Sequence, residues 1–267
     1  MGPILAASAV GAVLAATSPA RAADDASGAG VGAQSTLPKS APNETPVTAF
    51  TYGTGVSAGT VGASSFGSGV AGTSASTWAA GATAWASPID RLTLVVDATR
   101  SIDAQFSPSA AAIIRLLGRH DEGFSFGVLE KFKIDGFARG PNREVESELE
   151  SGAVLSYVHA RVHADLNGLA GFGLADDHEV DTEARLRVGY DLTRFLRVGV
   201  DEQARWRLRG FDKLPGGRTW DFGGGAQVLL SWKNFYGAVT AGPTTIGVVD
   251  PGKVGWMGML TLGAVTL

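Results

Sequence analysis

From Asp181 to Arg209 the chain alternates charged and apolar side chains with a period of two, a pattern no helix keeps on one face. In the first segment Glu183, Arg185 and Arg187 share one side, while Ala184, Leu186, Val188 and Tyr190 share the other. After Asp191-Leu192-Thr193-Arg194, the residues Arg197, Asp201, Gln203, Arg205 and Arg207 alternate with Leu196, Val198, Val200, Ala204, Trp206 and Leu208. Successive strand side chains point to opposite faces, so two strands joined at that turn carry nearly all their charge on one surface. Glu202 falls on the apolar side. A soluble sandwich also alternates, but it buries its apolar face against a second sheet.

Other features of the chain decide between these. Only 18% of its 267 residues are charged and the formal net charge is -4, a near-balance that argues against a nucleic-acid surface. The absence of cysteine fits an exported bacterial protein. No apolar run reaches the ~18 residues a membrane helix needs. A chain of this composition that spans a bilayer therefore does so as a barrel. Ile4 to Ala16 is a short apolar run, followed by Ala20 and Ala22 at small-x-small spacing. Residues 1–22 are read as a secretory signal peptide. Residues 23–46, poor in large apolar groups, are read as a disordered linker, and 47–267 as one domain.

Twelve period-two segments follow the linker: 47–58, 74–86, 91–100, 108–117, 123–134, 144–157, 161–172, 179–190, 195–209, 219–232, 235–247 and 254–266. The connections at 87–90, 118–122, 158–160, 191–194 and 233–234 are short; those at 59–73, 101–107, 135–143, 173–178, 210–218 and 248–253 are longer. Most segments reach the ~9–11 residues of a tilted membrane strand. Aromatic residues gather near segment ends. Trp85, Tyr157, Tyr190, Phe195, Trp232, Phe235 and Tyr236 lie toward the short turns, and Trp78, Trp206, Trp220 and Trp256 toward the longer loops.

In these features the chain, from about Val47 to Leu267, resembles the bacterial outer-membrane β-barrel proteins. The resemblance implies an all-β, up-and-down antiparallel transmembrane barrel of about twelve strands, with short periplasmic turns and longer outer loops. It implies export by the signal peptide, residence in the outer membrane, and a partner surface of outer-membrane lipid. Barrels of this kind usually end on an aromatic residue; this chain ends on Leu267.

If the apolar faces meet lipid, the opposite faces line a lumen. The expected lumen residues are Lys131 and Lys133 on strand five, Glu146, Glu148 and Glu150 on six, and His163, Asp165 and Asn167 on seven. Strands eight and nine add Glu183, Arg185, Arg187, Arg197, Asp201, Gln203, Arg205 and Arg207. Seven positive groups here meet six negative ones, so the wall nearly neutralises itself. Leu186, Val188, Val198, Val200, Trp206 and Leu208 are the expected lipid-facing residues. Glu130 and Glu202 alone carry charge outward in mid-strand, which places them near an interface or marks a register slip of one residue.

Three functions fit this pattern: a small porin-like channel for ions or small polar solutes, a closed structural or surface-scaffold barrel, and a soluble periplasmic or secreted barrel or sandwich that binds a ligand. No catalytic, metal or cofactor site is expected. His159 and His163 would lie about 13 Å apart on a strand, too far to share an ion. His163 and Asp165 have no marked serine nucleophile beside them. Gly223-Gly224-Gly225 lacks the following helix and Lys-Ser/Thr of a phosphate loop.

Overall fold

The computed structural model describes residues 52–53, 57–71, 77–101, 106–135, 145–174, 179–209, 219–246, 248 and 253–266. Their regular structure is strand: β1 (Val61–Ala71), β2 (Thr77–Ile89), β3 (Leu92–Ser101), β4 (Phe106–Leu117), β5 (Gly123–Asp135) and β6 (Glu146–His159), then β7 (Val162–Gly173), β8 (Val180–Thr193), β9 (Leu196–Arg209), β10 (Trp220–Trp232), β11 (Phe235–Thr244) and β12 (Gly255–Thr266). Each pairs antiparallel with its sequence neighbours, and β1 pairs with β12. The sheet thus closes on itself, which removes every edge. It leaves no second sheet for the apolar faces, so the sandwich alternative is overturned. The expected signal peptide and linker lie outside the described residues.

The first strand is not where its alternation predicts. Residues 47–51 and 54–56 lie outside the described residues, and the described ones in that stretch contribute no barrel strand. The strand is instead Val61–Ala71, within the stretch expected to be a long connection. Its Gly- and Ser-rich sequence has weak strand preference. Ladders on both sides hold it: Val61 sits opposite Ala86 on β2 and opposite Thr266 on β12. Small residues are also needed at this seam. A Cβ added at Gly62 would stand 2.5 Å from Cε2 of Trp85, and one at Gly263 would stand 2.5 Å from Oη of Tyr236.

Those two rings fold over the seam into the barrel, 2% and 7% exposed. They are therefore not part of the outer aromatic girdle in which the sequence places them. Tyr157, Tyr190, Phe195, Trp232 and Phe235 are exposed near the short turns, and Trp78, Trp206, Trp220 and Trp256 near the other end. On the same outer face Leu186, Val188 and Leu208 are exposed, and Val198 and Val200 half-buried.

The strand ends joined by 90–91, 118–122, 160–161, 194–195 and 233–234 lie at one end of the barrel; the strand ends that flank 72–76, 102–105, 136–145, 174–179, 210–219 and 245–254 in sequence lie at the other. The contrast in length is kept, although the first long connection is much shorter than expected because β1 takes up most of 59–73. The turn after Val158 has no Gly or Pro because Ala160 itself takes the left-handed conformation, at a φ of 53°. That costs roughly 1–2 kcal/mol in a residue with a side chain. Glu130 and Glu202 point outward with no register slip at either position. Glu130 sits opposite Ser151, whose Oγ donates to it at 2.5 Å, and Glu202 sits opposite Leu186 and Gly224.

Candidate functional site in the barrel lumen

Alternation along β5 to β10 turns one residue in two inward, and these residues pair across neighbouring strands. Nearest the short turns, His163 Nε2 lies 2.8 Å from Asp191 Oδ2, and Arg197 Nε donates to Asp191 Oδ1 at 2.7 Å. One layer further in, Arg187 donates to Asp165 from Nε and Nη2 at 2.9 and 2.5 Å, and Ser156 Oγ donates to the other carboxylate oxygen at 2.5 Å. Asp201, fully buried, accepts from Gln227 Nε2 at 3.1 Å, which also donates to Thr240 Oγ1 at 3.1 Å.

At mid-height Lys131 pairs with Glu150 at 3.2 Å and Arg185 with Glu183 at 2.8 Å. Gln203, half-buried, stands opposite Arg185. Toward the longer connections Lys133 meets Glu148 at 3.4 Å, Arg205 pairs with Asp181 and reaches Glu148 at 3.6 Å, and Arg207 lies 3.6 Å from Asp221. Glu148 and Asp181 converge over Gly171, where a Cβ would collide with both carboxylates. Glu146 stands exposed at the end of β6. Pairing of this kind offsets much of the cost of taking charges out of bulk water.

Asp181, Asp191 and Asp221 are partners the sequence reading omits. Parity could have supplied two of them: Asp181 lies two residues before Glu183, and Asp221 begins the inward set of β10. Asp191 reads as a turn residue. Asn167 has a partner no local signal predicts. Its Oδ1 accepts from the backbone N–H of Tyr52 at 2.7 Å and its Nδ2 donates to the Tyr52 carbonyl at 2.8 Å, across 115 positions of sequence. The Arg185 guanidinium lies over the Tyr52 ring, 5.3 Å from its centroid.

The inner wall is not polar all round. β11, β12, β1 and β2 turn inward only uncharged residues among those described, including Thr240, Thr261, Ser64, Phe66, Met257 and Met259. Toward the short turns an apolar cluster fills the bore: Trp85, Val95, Ile113, Leu129, Val154, Leu169, Tyr236 and Val265, joined by Tyr52. Ile113, Leu129 and Val154 are fully buried. The expectation that apolar side chains face outward therefore fails on β3 to β6. Those residues are far from any hydrocarbon outside and pack against each other, each contributing about 1.5–3 kcal/mol of burial.

At the other end a cavity of about 520 Å³ remains, with Lys131, Lys133, Arg205 and Arg207 together with Glu150 and Glu183 on one wall and Phe66, Met257 and Met259 on the opposite one. Among the described residues no group of three His, Cys, Asp or Glu converges as a metal site. His163 and Asp165 are held in different pairs: His163 Nε2 lies against Asp191, whereas Asp165 accepts from Ser156 and Arg187.

No protein-family model and no curated protein matches the chain. Solved structures do. The NanC porin superposes with a TM-score of 0.61 at 5% identity, covering 77% of this chain and 100% of that one. The COG4313 outer membrane channel from Pseudomonas putida F1 superposes with a TM-score of 0.50 at 14% identity, covering 79% of this chain and 96% of that one. With identities this low the likeness is one of backbone architecture. The chain has the closed, twelve-stranded, up-and-down fold of the bacterial outer-membrane β-barrels.

Proposed function

We propose that this barrel resides in the outer membrane after export and passes ions or small polar solutes along its charge-paired wall. The observation that carries the reading is the cavity of about 520 Å³ in the bore, bounded on one side by Lys133, Arg205 and Arg207. A cavity so lined favours water and polar solutes over apolar ones. The exposed apolar belt suits hydrocarbon, since a soluble protein rarely leaves so much contiguous apolar surface uncovered. A soluble ligand-binding barrel fits that belt poorly. The role is one of transport, not catalysis, with neither cofactor nor nucleic acid involved.

Reconstitution in a planar bilayer tests the reading. Folded protein should give discrete conductance steps, and their absence from folded protein counts against a channel. A closed structural barrel is the second reading, favoured by the apolar packing of Ile113, Leu129 and Val154 across the bore. It predicts a silent bilayer at every voltage.

A further inference from the structure

Tyr52 lies inside the barrel yet belongs to none of its strands. One side chain, Asn167, offers an acceptor to the Tyr52 N–H and a donor to the Tyr52 carbonyl, as a neighbouring strand would. Asn167 is fully buried, and without Tyr52 both ends of its carboxamide would lose these partners. A buried carboxamide stripped of partners is costly, so such a group implies a ligand for it. The Tyr52 ring lies under Arg185, whose Nε has no hydrogen-bond partner and whose Nη2 is tied to Glu183. Three contacts thus converge on a single residue.

We propose that Asn167 and Arg185 form an internal binding site for a peptide unit carrying an aromatic side chain, and that the chain fills this site with its own Tyr52 as a releasable stopper. Arg185 and Lys131 also line the cavity, and Tyr52 belongs to the apolar cluster that fills the bore below it. The stopper therefore stands between the open and the packed parts of the lumen. Two neutral hydrogen bonds and one cation–π contact alone bias the seated state on the order of a hundred-fold, and burial of the Tyr52 ring adds to that. The seated state is therefore the resting one.

The site stands by itself; its role in opening a path rests on the channel reading above. The chain has no cysteine, so a single introduced thiol reports on this place alone. Gly53→Cys, next to the stopper and likewise buried, is labelled with a charged, membrane-impermeant maleimide in the folded full-length protein. Heat-dependent gel mobility confirms folding of each variant. The expected result is slow labelling, accelerated about ten-fold or more when Asn167→Leu or Tyr52→Ala is added. Should Gly53→Cys not fold, Tyr52→Cys with and without Asn167→Leu serves instead.

The same slow rate in all backgrounds would overturn the proposal, as would labelling of the parent at the rate of unfolded protein. Conductance of the same variants separates the two readings. Faster labelling with a silent bilayer keeps the stopper and removes the channel; unchanged labelling removes the stopper whatever the conductance.

Discussion

Two arcs of one barrel solve the same closure problem with different chemistry. Along β5 to β10 many of the inward residues are long and charged, and these fill space in interlocked pairs such as Arg187–Asp165 and Lys131–Glu150. Along β11, β12, β1 and β2 they are small or hydroxylated, and space is filled by Trp85 and Tyr236 lying over Gly62 and Gly263. Every strand of both arcs pairs with a neighbour on each side. The ladder therefore does not distinguish a wall that can carry charge from one that cannot; side-chain volume and pairing do. The charged arc is specific but brittle, because removing one partner strands the other. The small-residue arc resists changes of charge less than changes of size.

Breaking the charged arc should have the largest effect. Asp165→Ala removes the carboxylate to which buried Arg187 and Ser156 both donate, and should lower stability by about 3–5 kcal/mol, read as the denaturant midpoint of the folded barrel in detergent. Next comes the outer face that both arcs share: Leu186→Arg should cost about 2–4 kcal/mol in lipid, near the middle of the hydrocarbon. In the seam, Gly62→Val must displace the Trp85 ring and should cost about 1–3 kcal/mol. Gly168→Ala is the control, since an added Cβ there meets nothing within 4 Å; it should stay within about 0.5 kcal/mol. Among the changes expected to destabilise, the smallest effect belongs to the border between the arcs. Thr240→Val removes one acceptor from Gln227, which keeps Asp201, and should cost about 1 kcal/mol.

The charged arc was legible in the sequence because its signal is local. Glu183, Arg185 and Arg187, and Arg197 through Arg207, announce their face by spacing alone, and a closed sheet has only two faces. β1 was not legible, since its Gly and Ser residues have weak strand preference and the need for a small residue at Gly62 is set by the Trp85 ring, which comes from β2. Without that tertiary fact, Phe50 and Tyr52 make the preceding stretch look more like a strand than Val61–Ala71 does. The inward apolar cluster was hidden for a related reason. Period two gives alternation but not sign: Ile113 and Ile114 are adjacent and equally apolar, yet Ile113 is sealed in the bore and Ile114 is exposed. Tyr52 and Asn167, so distant in sequence, share no pattern at all.

The central claim concerns what covers each face of these strands, and spin labels placed one at a time along β8 and β9 of the folded barrel in lipid test it most directly. Collision with oxygen, which concentrates in hydrocarbon, should peak at positions 186, 188, 198 and 200 and fall at 185, 187, 197 and 201, a two-residue oscillation through both strands. A flat profile, or greatest access of a water-soluble relaxation agent at 186, 188, 198 and 200, would contradict it.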